Sequence, residues 1–384
     1  MDVLLDEDEE FLKSEARKFL ETECPTSLVR EVEDQGKPWD DGLWKKVAEL
    51  GWLGLALPEA YGGAAAPFTH LGVLFAEIGR GLAPIPIHAS VVAALSIAEF
   101  GSEAQKEAVL PAVIRGEQIL TWAWTEDSGE VDLDAIGLEA RVDGKSLVLT
   151  GRKLFIDGLE LADHCLVACR SQQGSSGEEG ITLALVDLKS PGIELVRHLT
   201  MGGDAQGELR FDAVRVPLGD VVGALHGGGA AARVLFEQAV ILNCAMIVGA
   251  TRNAIERAFE YAKGRVAFDQ PIGSFQAIQH MCANMVTWVD GAELLVHEAL
   301  WTVAQGLPAT KEISTAKAFC NERCQAALRE ANQIHAGVAQ IKEYDQQLWY
   351  RRAAAWTMRL GTSIQHRRVV AREIGIVPKP TAAH

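Results

Sequence analysis

The chain has 384 residues, 48% of them hydrophobic, and a formal net charge of −16. That length and apolar content suit two or three domains with sizeable cores. The acidic balance argues against nucleic acid or an anionic membrane surface as the main partner. From about Asp6 to Gln118, apolar residues recur at three- and four-residue spacing, as in LWKKVAELGWLGLAL and HLGVLFAEIGRGL, punctuated by Pro58 and Gly62–Gly63. Residues 1–118 are therefore read as an all-α domain. The opening MDVLLDEDEEFLKSEARKFL is acidic and amphipathic rather than basic and then apolar, so it does not read as a signal peptide. Pro84, Pro86, His88 and Asn243 interrupt the most apolar runs, so no membrane span and a cytoplasmic location are expected.

Near Ile119 the period shifts from 3.6 toward 2. LTWAWTE, LEARV, SLVLTG, KLFIDG, CLVACR, ITLALVDL, IELVRHL and ELRFDAVRV all read as strands, with Asp143-Gly144 as a hairpin turn and GSSGEEG, 174–180, as an exposed loop. Strands this close together, with no helices between them, predict an antiparallel sandwich or barrel over residues 119–228 rather than a dinucleotide-binding βαβ fold. No GxGxxG leads from a strand into a helix. The glycine cluster His226-Gly227-Gly228-Gly229 precedes a helix and reads as a hinge. From there to about Ile374 the pattern is helical again, so residues 229–384 are expected to form an α-helical bundle. The seven cysteines are scattered: Cys165 and Cys169 on a strand, Cys320 and Cys324 on one helix face. They lack zinc-site spacing and read as reduced thiols, with no metal site expected.

The most specific stretch is RVAFDQPIGSFQ, Arg265 to Gln276. Gly264 supplies a helix stop and Pro271 a turn before the next helix begins. The junction thus presents a cation, Arg265, a ring, Phe268, and an amide, Gln276, from one helix–helix elbow. Such a group suits an anionic, aromatic cofactor: charge for phosphate, a ring for stacking, an amide for hydrogen bonds.

This segment closely resembles the flavin-contacting signature of the acyl-CoA dehydrogenase family, and the resemblance runs nearly end to end. GWLGLALPEAYGG and EIGRGLAP look like family signatures near the N-terminus; the order all-α, all-β, all-α is the family's α+β fold. Thr125-Glu126 resembles the start of its flavin-facing Thr-Glu-Pro loop, GRKLFIDG its Gly-x-Lys-aromatic segment, and QIHAG (333–337) its turn near the flavin diphosphate. The resemblance implies FAD as cofactor, an acyl-CoA substrate and an electron-transfer flavoprotein or other electron acceptor. It places Thr125, Phe155 and Asp157 by the isoalloxazine of their own subunit. Arg265, Phe268, Gln276, Gln333 and Gly337 are placed at the flavin of a neighbour, and Thr362 belongs to the same cofactor set.

The reaction so implied is α,β-dehydrogenation of the thioester, a carboxylate removing the α-proton while hydride passes to flavin N5. In the family the glutamate sits in either of two places. One, a Tyr-Glu-Gly-Thr loop, here reads Arg359-Leu360-Gly361-Thr362 and is empty. The other, on the helix before the arginine motif, holds Glu237, the one acidic or strongly basic residue between Arg233 and Arg252. Burial in an apolar helix would suit a general base for a weakly acidic C–H. The alternative is a solvated glutamate stabilised near a helix N-terminus. If one helix joins them, Glu237 and Arg265 are roughly 42 Å apart, so the resemblance implies a dimer at least, with a tetramer as the expected assembly. Gln238 replaces the arginine that usually follows the base, Val131 a serine, Asp157 a threonine and Ala336 a glycine. These departures keep a second class open: a non-catalytic subunit completing a partner's flavin site. Short actinobacterial members that assemble as heterotetramers resemble this chain in length and in the wording Phe-Asp-x-Pro-Ile. A third class is another flavin reaction on the same fold.

Overall fold

The computed structural model describes residues 4–37 and 39–377. Six helices come first: α1 (Glu7–Glu23), α2 (Thr26–Asp34), α3 (Asp41–Glu49), α4 (Phe68–Gly81), α5 (Ile87–Phe100) and α6 (Glu103–Ile114). Strands β1 (Leu120–Ala123), β2 (Glu139–Asp143), β3 (Ser146–Asp157), β4 (His164–Arg170), β5 (Ile181–Asp187), β6 (Ile193–His198), β7 (Gln206–Pro217) and β8 (Val221–Val222) follow. The long α7 (Gly229–Gly264) leads to a two-stranded hairpin, β9 (Val266–Ala267) with β10 (Gln270–Pro271). Helices α8 (Gln276–Ala304), α9 (Thr310–His335), α10 (Gln346–Met358) and α11 (Ser363–Glu373) complete the chain. The architecture is thus helical, then β-sheet, then helical. Spatially the residues group into two compact units that interleave along the sequence.

One unit comprises Val32–Pro67 and Pro84–Ala239 and holds the sheet. Its eight strands run in the order β6-β7-β3-β2-β4-β5-β8, with β1 beside β4. Leu147, Leu149, Cys165, Val167, Val186, Leu209 and Phe211 share one buried cluster. Pairing is antiparallel as expected except at β4, which runs parallel to β1 from Leu120↔His164 and meets β2 in parallel at Glu139↔Arg170. Parallel neighbours need a long crossover, and the β2–β3 hairpin between β1 and β4 supplies it. The hairpin turns at Asp143↔Ser146, with Gly144 at φ +61°. The two separate strands expected over SLVLTG and KLFIDG are one strand, β3, bent by register shifts at Leu149/Gly151 and Lys153/Ile156. Bulges let a strand turn without ending. The glycine cluster before α7 is not a loose hinge. A Cβ on Gly229 would sit 2.5 Å from the Glu178 carbonyl oxygen, and the Gly228 N–H donates to Ile181 O at 2.8 Å. Close backbone packing is what requires glycine there.

The second unit comprises the N-terminal stretch to Glu31, Phe68–Ala83 and Val240–Val377. Here α4 packs on α7 so tightly that a Cβ on Gly79 would overlap the Met246 backbone, and one on Gly249 the Ala76 carbonyl. The glycine of EIGRG is therefore a packing residue. Contrary to the sequence reading, α7 is long and apolar enough, by length and composition alone, to cross a membrane. Yet 83% of its most apolar window is buried within the protein, so it is a core helix. One asparagine was too weak an interruption to show this from sequence.

Candidate functional site

In the sheet-bearing unit, β1 runs out into Trp124, Thr125 and Glu126, and the strand end is fixed from several sides. The Thr125 carbonyl accepts from Leu154 N–H at 2.9 Å. Lys153, fully buried, donates through Nζ to Trp124 O at 2.8 Å and to Glu126 Oε1 at 2.7 Å. Glu126 Oε1 also accepts from Leu138 N–H at 2.9 Å, and Oε2 from Gly137 N–H at 3.0 Å. This carboxylate is engaged on both oxygens in holding the loop. Burial pulls the Lys153 ammonium below the ordinary lysine range, opposed by Glu126. Burial likewise pushes the neighbouring Cys169 thiol up to about 12, so it stays protonated.

Sequence reading named Glu126 but missed its partner. A partial signal was there: Leu147, Leu149 and Lys153 share one face at the two-residue period of β3 and are buried, with exposed Gly151 between them.

The bulge of β3 displays Phe155, which is 58% exposed and left-handed at φ +54°, with its ring edge-on to His198 at 5.6 Å. A large non-glycine residue in that region is strained, and such strain marks positions the fold holds for use. Asp157 accepts from Gln206 Nε2 at 3.0 Å, and its carbonyl accepts from Thr121 Oγ1 at 2.6 Å. Thr125, Phe155 and Asp157 therefore belong to one corner of the sheet.

Glu237 lies in the third turn of α7 and is half-buried. Its neighbour Phe236 stacks on Trp124, ring centroids 4.7 Å apart and tilted by 30°. The ring contact brings the Glu237 turn to the strand end carrying Thr125. Helix α5 reinforces the arrangement: His88 Nε2 bonds Ala239 O at 2.9 Å, and Ser90 Oγ accepts from Leu120 N–H at 3.2 Å. Gln238 is buried, and its side-chain oxygen has no hydrogen-bond partner among the described residues. Val131, where the family has serine, offers only its carbonyl, to Trp124 Nε1 at 3.2 Å.

The helical unit gathers the second group. Arg265 follows α7 directly, its N–H donating to Tyr261 O and its carbonyl accepting from Ile272 N–H, both at 2.8 Å. Its guanidinium is exposed and has no ion-pair partner among the described residues. The β9–β10 turn places Phe268 at φ +55° and Asp269 at φ +63°, so both central residues are left-handed. Two-residue hairpins prefer Asn-Gly there, yet this one holds a phenylalanine 88% exposed to solvent, edge-on to Phe275 at 6.0 Å. Gln276, first residue of α8, is exposed too.

Tyr261 stacks on His335 at 4.6 Å, which sets the end of α7 beside the end of α9, where Gln333 is exposed. His335 is buried and held low in pKa by that burial; Nδ1 donates to Ala331 O, leaving Nε2 without a partner among the described residues. A Cβ built on Gly337 would meet nothing within 4 Å, so the backbone there is open to close approach. An unpaired guanidinium, an exposed ring and an open backbone turn fit an anionic aromatic cofactor such as FAD.

Thr362 is the N-cap of α11. Its hydroxyl accepts from Gln365 N–H at 3.3 Å, and Gln365 Oε1 accepts from Thr362 N–H at 2.7 Å. A capping box gives this threonine a structural duty of its own.

Three family models match the chain in order: the acyl-CoA dehydrogenase N-terminal domain over residues 6–117, the middle domain over 121–214 and the C-terminal domain over 226–375. A 3-(aryl)acrylate reductase of Clostridium sporogenes is 33% identical over 374 residues, covering 96% of this chain and 98% of that protein. The caffeyl-CoA reductase-Etf complex subunit CarC of Acetobacterium woodii is 30% identical over 371 residues, covering 95% and 97%. Among solved structures, the ChsE4-ChsE5 complex from Mycobacterium tuberculosis superposes with a TM-score of 0.91 at 26% identity, covering 99% of this chain and all of that one. The chain belongs to the acyl-CoA dehydrogenase family.

Proposed function

We propose that this chain is an FAD-dependent oxidoreductase acting on the Cα–Cβ bond of an acyl-CoA thioester, with Glu237 as the base at Cα. The observation that carries this reading is the Phe236–Trp124 stack, which sets the Glu237 turn against the strand end bearing Thr125. FAD, when bound, supplies the two-electron acceptor for hydride leaving Cβ. Glu237 takes the α-proton, and the electron pair of that C–H bond becomes the new π bond. In the reverse direction, which the names of the two relatives describe, protonated Glu237 returns the proton to Cα.

Thr125, Phe155 and Asp157 orient the flavin of their own subunit. Arg265, Phe268, Gln276, Gln333 and Gly337 serve the flavin of a neighbouring subunit, making a dimer the smallest working unit, and Thr362 belongs to the same cofactor set. The three domains are taken as 1–118, 119–228 and 229–384. An electron-transfer flavoprotein is the proposed redox partner, supported by the Etf complex in which the Acetobacterium relative is named.

Glu237→Gln keeps shape and removes the ability to accept a proton. Flavin binding should persist, while substrate-dependent bleaching of flavin absorbance slows by about 10²–10⁴-fold. Reduction at the wild-type rate with a turned-over acyl-CoA refutes the assignment.

A second reading is favoured by Leu360 in the empty base position and by the likeness to the two-component ChsE4-ChsE5 complex. In it the chain completes a flavin site on a different polypeptide. A yellow homo-oligomer from the chain expressed alone supports the first reading, and a colourless protein that turns yellow only with a second polypeptide supports the second.

A further inference from the structure

We infer that Lys153 is a positioning residue of the cofactor site, forming with Glu126 a buried clamp that fixes the backbone on both sides of Thr125. The inference rests on the proposal that Thr125 faces the flavin. Lys153 is fully buried, and its ammonium reaches two acceptors that bracket Thr125 in sequence, Trp124 O at 2.8 Å and Glu126 Oε1 at 2.7 Å. The next residue of β3 closes the bracket, since Leu154 N–H donates to Thr125 O at 2.9 Å. Glu126 is tied in turn to the Gly137 and Leu138 amides. A buried cation is costly unless it is paired and hydrogen-bonded, so its place here needs a return in geometry. That return is a strand end with little freedom: Thr125 is held through its own carbonyl and through both neighbours. Two residues beyond Lys153, the same strand bulges to present Phe155. The lysine therefore joins both flavin-facing elements, one by hydrogen bonds and the other by chain continuity.

The test uses the full-length apoprotein titrated with FAD, read by quenching of flavin fluorescence, with thermal melts of the same samples. Lys153→Met keeps a side chain of similar length without the cation and should raise the FAD dissociation constant at least tenfold while the protein still melts cooperatively. Because Lys153 acts through Thr125, the Lys153→Met/Thr125→Ala double variant should bind within twofold of the weaker single variant. Arg17→Met serves as the control. It breaks the Arg17–Glu77 ion pair in the other unit and should lower the melting temperature while leaving FAD affinity within twofold. If Lys153→Met does not fold, Glu126→Gln is titrated instead and should weaken FAD at least threefold. Affinity within twofold of wild type in the folded variant overturns the inference, as does a double variant whose effects multiply. A wild-type apoprotein with no affinity for FAD overturns the flavin reading itself and the clamp's role with it.

Discussion

Ala336→Gly should stabilise the apoprotein. Ala336 ends α9 at φ +53° and ψ −141°, a region open almost only to glycine. Holding an alanine there costs about 1–3 kcal/mol. Glycine removes that strain but widens the unfolded ensemble, at a cost of about 0.4–1 kcal/mol. The alanine is exposed, so its methyl contributes little burial, and the net gain is about 1–2 kcal/mol. Urea unfolding of the apoprotein, followed by tryptophan fluorescence and far-ultraviolet dichroism, should show the midpoint of the helical unit rising by roughly 0.5 M. Gly337→Ala is the internal control. Its φ lies outside the left-handed region and its built Cβ meets nothing, so the apoprotein should stay within about 0.5 kcal/mol of wild type. If Ala336→Gly destabilises the protein, or if Gly337→Ala shifts the midpoint as far, strain at this turn is not what the backbone angles imply.

Arg265→Ala should weaken FAD by on the order of 10–100-fold, the loss of a charge-assisted contact worth about 1.5–3 kcal/mol, with the apoprotein melt unchanged; unaltered FAD affinity by fluorescence titration removes Arg265 from the site. His366, buried between Ser314 Oγ and Leu360 O, is held down to about 4 by burial, against 6.5 for the free side chain. A depressed pKa means the folded state prefers the neutral ring: its stabilisation is complete above pH 6.5 and is lost as pH falls toward 4. Wild type should thus lose about 3 kcal/mol more than His366→Gln over that window, and parallel denaturation curves would refute the linkage.

Periodicity carried most of the fold. The helical N-terminal segment, the strand-rich middle and α7 were legible because burial imposes 3.6- and 2-residue repeats on the chain itself. Two features were not. The parallel β1–β4 pair depends on which strand ends up beside which, and no local pattern encodes a neighbour so far away in sequence. The unity of β3 was hidden because Gly151 looks like a turn when it is a bend, at φ +131°. Of the proposed site residues, Arg265, Phe268 and Gly337 were visible as motifs. The pairing of Lys153 with Glu126 and of Trp124 with Phe236 joins residues from separate elements, so it appeared only in three dimensions. Thr362 adds a duty the motif did not announce, because its side chain also caps α11.

Backbone strain ties these observations together. Among the described residues, nine non-glycine positions have positive φ, and six of them, Leu82, Phe155, Phe268, Asp269, Ala336 and Leu360, fall inside the motifs that carry the family resemblance. Clustering of that kind is expected where a fold gives up stability to hold a working geometry. Leu360 makes the case sharpest, because a side chain with no ionisable group is held there at φ +57°. Its carbonyl accepts from His366 Nε2 at 2.8 Å, the Gly361 carbonyl accepts from Asn321 Nδ2 at 3.0 Å, and Thr362 caps α11. The loop is therefore held from α9 and α11 whatever side chain stands at its tip. With no ionisable side chain at that tip, the proposed proton transfer falls to Glu237 on α7, next to the Phe236 ring that stacks on Trp124 at the strand end of Thr125.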